Sequence, residues 1–252
     1  MQTYASMEKN ERAALLERLR GEYAAARAKG LRLDMSRGKP DAQQLALSAA
    51  LQDSALLEPP QSENGLDCRN YGMPEGIPEA RRLFGELLEL PPEQVLVCGN
   101  SSLNLMYDYL VQCMLFGAGG APWAAQESLR FLCPVPGYDR HFALLEQLGI
   151  EMIGIPMRGE GPDMELMEQF ARDERVKGMI CVPKYSNPEG KTFSEAVVRR
   201  IAALRPAARD FRVIWDNAYL VHDLEEEGDR LLNIFEAARA QGTEDHFIEV
   251  AS

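Results

Sequence analysis

Phe211-Arg212-Val213-Ile214-Trp215-Asp216-Asn217-Ala218-Tyr219 opens as an apolar run of strand type and ends abruptly in a carboxylate, an amide and a phenol. In an open α/β sheet, ligands sit beyond the carboxyl ends of the strands, which would place Asp216 and Tyr219 at a binding crevice. A carboxylate buried there needs a cationic partner, because an unpaired charge in a dry site is costly. A protonated pyridine nitrogen would serve, with Tyr219 hydrogen-bonding a hydroxyl on the same ring. Pyridoxal 5'-phosphate (PLP) presents both groups, and its electron sink works best with the nitrogen protonated. A plainer reading is also open: an Asp capping the next helix after a buried strand, with Tyr219 in the core.

Outward from this stretch, short apolar runs alternate with amphipathic segments. Strands are predicted over residues 95–98, 130–133, 151–155, 178–182, 213–216 and 247–250. Helices are predicted over 78–88, 101–115, 138–148, 163–173 and 194–204. This is the pattern of a largely parallel, helix-covered sheet. Nearer the N-terminus, 7–29 reads as an exposed helix stopped by Gly30, 31–35 as a half-buried strand and 42–57 as a helix ended by Pro59-Pro60. Residues 117–122 read as a flexible interruption and 225–229 as a solvated acidic run. The domain reading is an N-terminal arm and small-domain segment over 1–45, and a large domain over 46–252.

Composition narrows the function classes. A formal net charge of −12 argues against a nucleic-acid partner, since phosphate-backbone affinity comes from clustered Lys and Arg. No apolar stretch is long enough to span a membrane, and the N-terminus has acidic residues where a signal peptide has an apolar core. Five cysteines without a CxxC pair, and three histidines, give no zinc spacing. Reduced core thiols in a cytoplasmic protein are the expectation.

Three further strand ends carry candidate site residues. Asn100-Ser101-Ser102 would put backbone N–H groups and two hydroxyls at a helix N-terminus, an anion site in principle and an ordinary Ser cap otherwise. Pro134-Val135-Pro136-Gly137-Tyr138 places an aromatic that could stack on a flat ring or pack under its loop. Ser186-Asn187-Pro188-Glu189-Gly190 is a turn that leaves the Asn187 amide pointing outward. Upstream, Ser36-Arg37-Gly38-Lys39-Pro40 is a basic turn able to approach an anion, or simply a solvated one.

Taken together and in this order, these elements resemble the fold-type-I PLP enzymes of the aspartate aminotransferase superfamily. Leu33-Asp34-Met35-Ser36-Arg37-Gly38-Lys39-Pro40, the run from Asn100 to Asp108 and Val182-Pro183-Lys184-Tyr185-Ser186-Asn187-Pro188 resemble its bacterial type Ic subgroup. The resemblance spans about residue 8 to Ser252. It implies an incomplete fold-type-I large domain, and an aminotransferase that moves an amino group, expected from aspartate, to a 2-oxo acid. It further implies that Asp216 pairs with the pyridine nitrogen, that Asn187 and Tyr219 bond the ring hydroxyl, and that Tyr138 stacks on the ring. Asn100, Ser101 and Ser102 would hold the phosphate. Tyr71 matches a tyrosine that reaches the cofactor of a neighbouring subunit, which implies a homodimer. The Gly38 backbone would lie beside the substrate carboxylate, and Arg37 would help with an acidic substrate; Ser252 would join the cofactor-binding residues.

One departure stands out. The lysine that anchors PLP follows, in this family, a Ser-x-Ser-Lys motif of which Ala251-Ser252 looks like the start. The six lysines present (Lys9, Lys29, Lys39, Lys177, Lys184 and Lys191) all precede Asp216. The resemblance therefore implies an N-terminal fragment, inactive by itself, whose first large-domain strand lacks a neighbour. A PLP-dependent lyase, an aminotransferase for another substrate, and a non-catalytic binding or regulatory chain on the same fold are the alternatives.

Overall fold

The structure, a computed structural model, describes residues 4–32, 40–53 and 59–251. The chain divides into two compact units, Met1–Pro59 and Pro60–Ser252.

In the first unit, helix α1 (Lys9–Ala28) has no buried residue. The Glu8 N–H donates to Glu11 Oε2 at 3.1 Å, and Arg20–Glu17 (2.8 Å) and Arg18–Glu22 (3.5 Å) pairs line its surface. Such exposed pairs add a few tenths of a kcal/mol each. The helix expected over 42–57 is shorter. Helix α2 covers Ala42–Ala46, capped by Asp41, and a separate 3-10 turn follows at Ala49–Gln52. The Ser48 hydroxyl donates to the Leu45 carbonyl at 3.1 Å, and no buried face holds a longer helix together. The end of that reading, and most of the 31–35 strand, lie outside the described residues.

The second unit is built on a five-stranded parallel sheet of order β2-β1-β3-β4-β5, with β1 Arg130–Val135, β2 Glu151–Pro156, β3 Val176–Cys181, β4 Arg212–Asp216 and β5 Phe247–Val250. Helices cover both faces. On one face α6 (Met164–Phe170), α7 (Glu195–Ala202) and α8 (Ile234–Arg239) pack on Leu132, Met179, Cys181, Val213 and Trp215. On the other, α4 (Ser102–Phe116) and α5 (Asp139–Gln147) pack on Phe131, Cys133, Ile180 and Ile214. Strands β1, β3 and β4 are buried from both sides, which is why they read as apolar runs rather than as alternating ones, whereas the edge strand β2 is largely exposed. Helix α3 (Pro78–Leu88) starts on Pro78 and stops at Glu89, whose φ of 54° is left-handed. Among the described residues, no helix is long and apolar enough to cross a membrane.

Three expectations change. Residues 95–98 are extended but join no ladder among the described residues. The Val97 N–H bonds the Glu75 carbonyl at 2.9 Å, and Arg81 Nε bonds the Val95 carbonyl at 2.9 Å. The turn at 117–122 is tight rather than loose. A Cβ on Gly117 would lie 2.3 Å from the Gly120 carbonyl oxygen, and Arg212 Nη2 ties down the Ala118 carbonyl at 2.6 Å. Of the cysteines, Cys113, Cys133 and Cys181 are core residues, whereas Cys68 and Cys98 are exposed.

Candidate functional site

Asp216 ends β4, and strand alternation sets where it faces. Val213 and Trp215 point to the α6–α8 layer, so Ile214 and Asp216 point to the α4–α5 layer. There His141, on α5, meets it, with Nε2 2.9 Å from Asp216 Oδ2 and only 2% and 3% of the two side chains exposed. With Asp216 ionised, Nε2–H is the donor. The second oxygen, Oδ1, is buried and has no hydrogen-bond partner among the described residues. A buried carboxylate oxygen left without a donor is destabilising, so this atom marks a place where a donor belongs.

The surroundings are apolar on one side and polar on the other. His141 stands one turn into α5 from Tyr138, and the two rings meet edge to face, centroids 5.1 Å apart. Tyr138, His141, Cys181, Ser186, Asn187 and Phe193 line one crevice beyond the ends of β1 and β3. Both turns that shape it contain a cis X-Pro bond, Val135–Pro136 and Asn187–Pro188. Burial, with the Asp216 charge adding to it, pushes the Cys181 thiol well above its ordinary pKa, so it stays neutral.

Asn217 turns the other way from Asp216. Its Nδ2 donates to Glu249 Oε1 of β5 at 2.8 Å, and its Oδ1 is a second buried oxygen without a partner among the described residues. Burial raises the Glu249 carboxyl to about 7; the Asn217 bond opposes that and the Glu89 charge adds to it. Tyr219 lies half-buried in the turn after β4, edge to face with His222 at 6.1 Å.

Thus the structure places Tyr138 and Asn187 on one crevice that His141 also lines. Asp216 is bonded to His141 but does not itself line it, and Tyr219 is on the loop leaving the same strand as Asp216. Asn100, Ser101 and Ser102 stand at the N-terminus of α4 and do not line it. The Ser101 hydroxyl accepts from the Asn104 N–H at 3.4 Å, a cap that leaves its own proton available. Tyr71 is 94% exposed. Arg37, Gly38 and Ser252 lie outside the described residues. Sequence reasoning missed His141. Its signal was available: a histidine three residues after Tyr138 shares that residue's helix face.

Comparison with known proteins gives the family. The family model for aspartate amino-transferase matches residues 7–252. The chain belongs to the aspartate amino-transferase family. It is 41% identical to the aspartate aminotransferase of Corynebacterium glutamicum, over 92% of this chain and 54% of that protein. A Mycolicibacterium smegmatis protein described as an aminotransferase is 42% identical over 99% of this chain and 60% of its own length. The solved structure of an aspartate transaminase from C. glutamicum superposes with a TM-score of 0.85 at 39% identity, covering 98% of this chain and 59% of that one. The chain therefore spans a little over half the length of these relatives.

In this aminotransferase-family chain the lysines of the second unit are all engaged. Lys177 pairs with Asp210 (2.9 Å), Lys184 with Asp223 (2.8 Å) and Lys191 with Glu189 (3.1 Å). Lys9 and Lys29 belong to the first unit, and Lys39 lies outside the described residues.

Proposed function

We propose that the protein carrying this chain is a PLP-dependent aminotransferase that moves an amino group from an amino acid, aspartate in our reading, to a 2-oxo acid. The observation that carries the proposal is Asp216, buried, with one oxygen held by His141 and the other without a partner. The residues fit the cofactor, because a protonated pyridine nitrogen is the donor Oδ1 lacks. When bound, PLP supplies an electron sink for the pair released at the substrate α-carbon.

This chain's residues do the holding. Asp216 keeps a proton on the ring nitrogen through a charge-assisted hydrogen bond, and His141 fixes the carboxylate so that it has one orientation. Tyr138 stacks on the ring, while Asn187 and Tyr219 donate to the ring hydroxyl oxygen. Asn100, Ser101 and Ser102 hold the phosphate at the start of α4. Tyr71 serves the site of a second subunit in a homodimer, and its near-complete exposure suits that role. The Gly38 backbone lies beside the substrate carboxylate, Arg37 helps with an acidic substrate, and Ser252 belongs to the cofactor-binding set. The anchoring lysine is none of the six here, consistent with three being ion-paired, and lies in the part of the relatives' length that this chain does not span. A cytosolic protein with an arm over 1–45 and a cofactor domain from residue 46 completes the reading.

The test is transamination by the native protein and its Asp216→Asn variant, with PLP uptake followed by absorbance. Loss of the charge-assisted bond should lower kcat by about two orders of magnitude. Borohydride reduction should attach PLP to none of these six lysines. Wild-type turnover in Asp216→Asn, or no PLP uptake by the native protein, would overturn the proposal. Release of ammonia without a 2-oxo acid acceptor would assign the site to a lyase.

A further inference from the structure

The loop leaving β4 has no regular structure, and its residues 221–230 are exposed. It is nevertheless tied to the loop leaving β3. Lys184, with 8% of its side chain exposed, donates to the Leu220 carbonyl at 3.0 Å and pairs with Asp223 Oδ1 at 2.8 Å. The Tyr185 hydroxyl donates to the same Asp223 oxygen at 2.8 Å and accepts from the Asp229 N–H at 2.7 Å. Gly228 closes over this point: a Cβ there would lie 2.1 Å from Asp223 Oδ1.

The backbone shows what the contacts hold in place. Tyr185 has a φ of 48°, a left-handed conformation unfavourable for a bulky residue. Its N–H is fixed on Thr192 Oγ1 at 3.2 Å, and its side chain is used at both ends of the exposed loop. An ammonium as buried as Lys184 also needs its two partners, since stripping one leaves a charge without compensation. These are specific polar contacts spent on a segment that otherwise makes few.

We propose that Lys184, Tyr185 and Asp223 are positioning residues that latch the two loops together and thereby set Tyr219 against Asn187. Tyr219 immediately precedes Leu220, the Lys184 acceptor, and Asn187 follows Tyr185 by two residues. The latch thus fixes the spacing of the two groups assigned to the ring hydroxyl. This rests on that assignment, and on the function proposed above.

The experiment uses the native protein, wild type and with Tyr185→Phe, Asp223→Asn and Gly228→Ala. Hydrogen exchange of residues 217–230 is read without PLP, and the pH midpoint of the bound cofactor's absorbance with it. Tyr185→Phe removes one oxygen atom and is the variant expected to fold. It should raise exchange in 217–230 alone, weaken PLP binding about fivefold and shift the absorbance midpoint in the direction given by Tyr219→Phe. Combined with Tyr219→Phe it should add little, as expected for residues acting through one group. Gly228→Ala should reproduce the exchange effect by displacing Asp223 from the other side. Wild-type exchange in Tyr185→Phe and Gly228→Ala would overturn the latch. Raised exchange with an unmoved midpoint and affinity would reduce it to a structural tie and overturn the positioning role. A wild-type protein that takes up no PLP would refute the proposed function and the positioning role with it, while exchange would still report whether the loops are tied.

Discussion

Glu249 shows how much a single carboxyl can do to pH dependence here. Burial lifts it to about 7 from an ordinary value near 4.5, so the folded chain holds a proton that the unfolded chain releases. Its stabilising contribution is complete below the unfolded value and is lost as pH rises through about 7. Thermal melts should therefore show stability falling between roughly pH 4.5 and 7.5 by on the order of 3 kcal/mol from this group. Glu249→Gln, which keeps an acceptor for Asn217, should flatten that slope; an unchanged slope would remove Glu249 as its source. His141 gives a second prediction. His141→Ala leaves Asp216 buried with neither oxygen satisfied, and urea unfolding of the cofactor-free protein should show a loss of about 3 kcal/mol. A loss below 1 kcal/mol would show that the fold does not depend on this bond. His141 was missed although its spacing from Tyr138 was there to read, whereas Glu249 had no local signal. Asp216, Tyr138 and Asn187 are singled out by the sequence because each stands at or just beyond a recognisable strand end. Glu249 reaches Asn217 only through the β4–β5 ladder, 32 residues away in the chain, and no local pattern announces that contact.

At the scale of elements, β3 is the tightest point of the sheet. It is buried along its whole length, and Gly178 leaves no room beside it: a Cβ there would lie 2.2 Å from the Arg212 carbonyl oxygen and 2.7 Å from the Phe131 ring. Gly178→Ala must push β4 or Phe131 away, and chemical denaturation should register about 3 kcal/mol of destabilisation. A loss under 1 kcal/mol would show that the β3–β4 pair yields easily. Elements such as β3 and β4 were readable because burial from both sides writes an apolar run into the sequence. Helix α3 was readable to the residue, since Pro78 fixes its start. Helix α8 was passed over: it is six residues long, and its start is set by Asn233, whose Oδ1 accepts from the Phe235 and Glu236 N–H groups while Nδ2 reaches the Leu88 carbonyl. Residues 95–98 failed for the opposite reason. Their apolar pattern is that of a strand, but a strand exists only where a neighbour offers its backbone groups, and propensity cannot supply one.

For the molecule as a whole, the unpaired surfaces decide behaviour in solution. The sheet of the second unit ends in β5, whose outer backbone edge is open among the described residues, and 95–98 lies outside any ladder. The same unit exposes Leu83, Phe84, Leu87, Leu96, Tyr107, Leu115 and Phe116. Open strand edges and clustered apolar side chains favour association. Against this stands the net charge of −12, which repels like copies. The two effects differ in range. Repulsion between surface charges is screened over about 8 Å at physiological ionic strength, whereas apolar contact and strand pairing act at touching distance and lose nothing to salt. Residues 1–252 produced alone should therefore stay dispersed at low salt and self-associate as salt rises, with a broad thermal transition. Light scattering across a salt series reads the first and calorimetry the second. Leu96→Lys with Phe116→Lys should move the onset of association to higher salt, because it removes apolar area and leaves the sheet core untouched. A monomer that stays dispersed at high salt and melts in one sharp cooperative transition would mean that these surfaces are satisfied within the chain, and would remove the expectation that the sheet is incomplete.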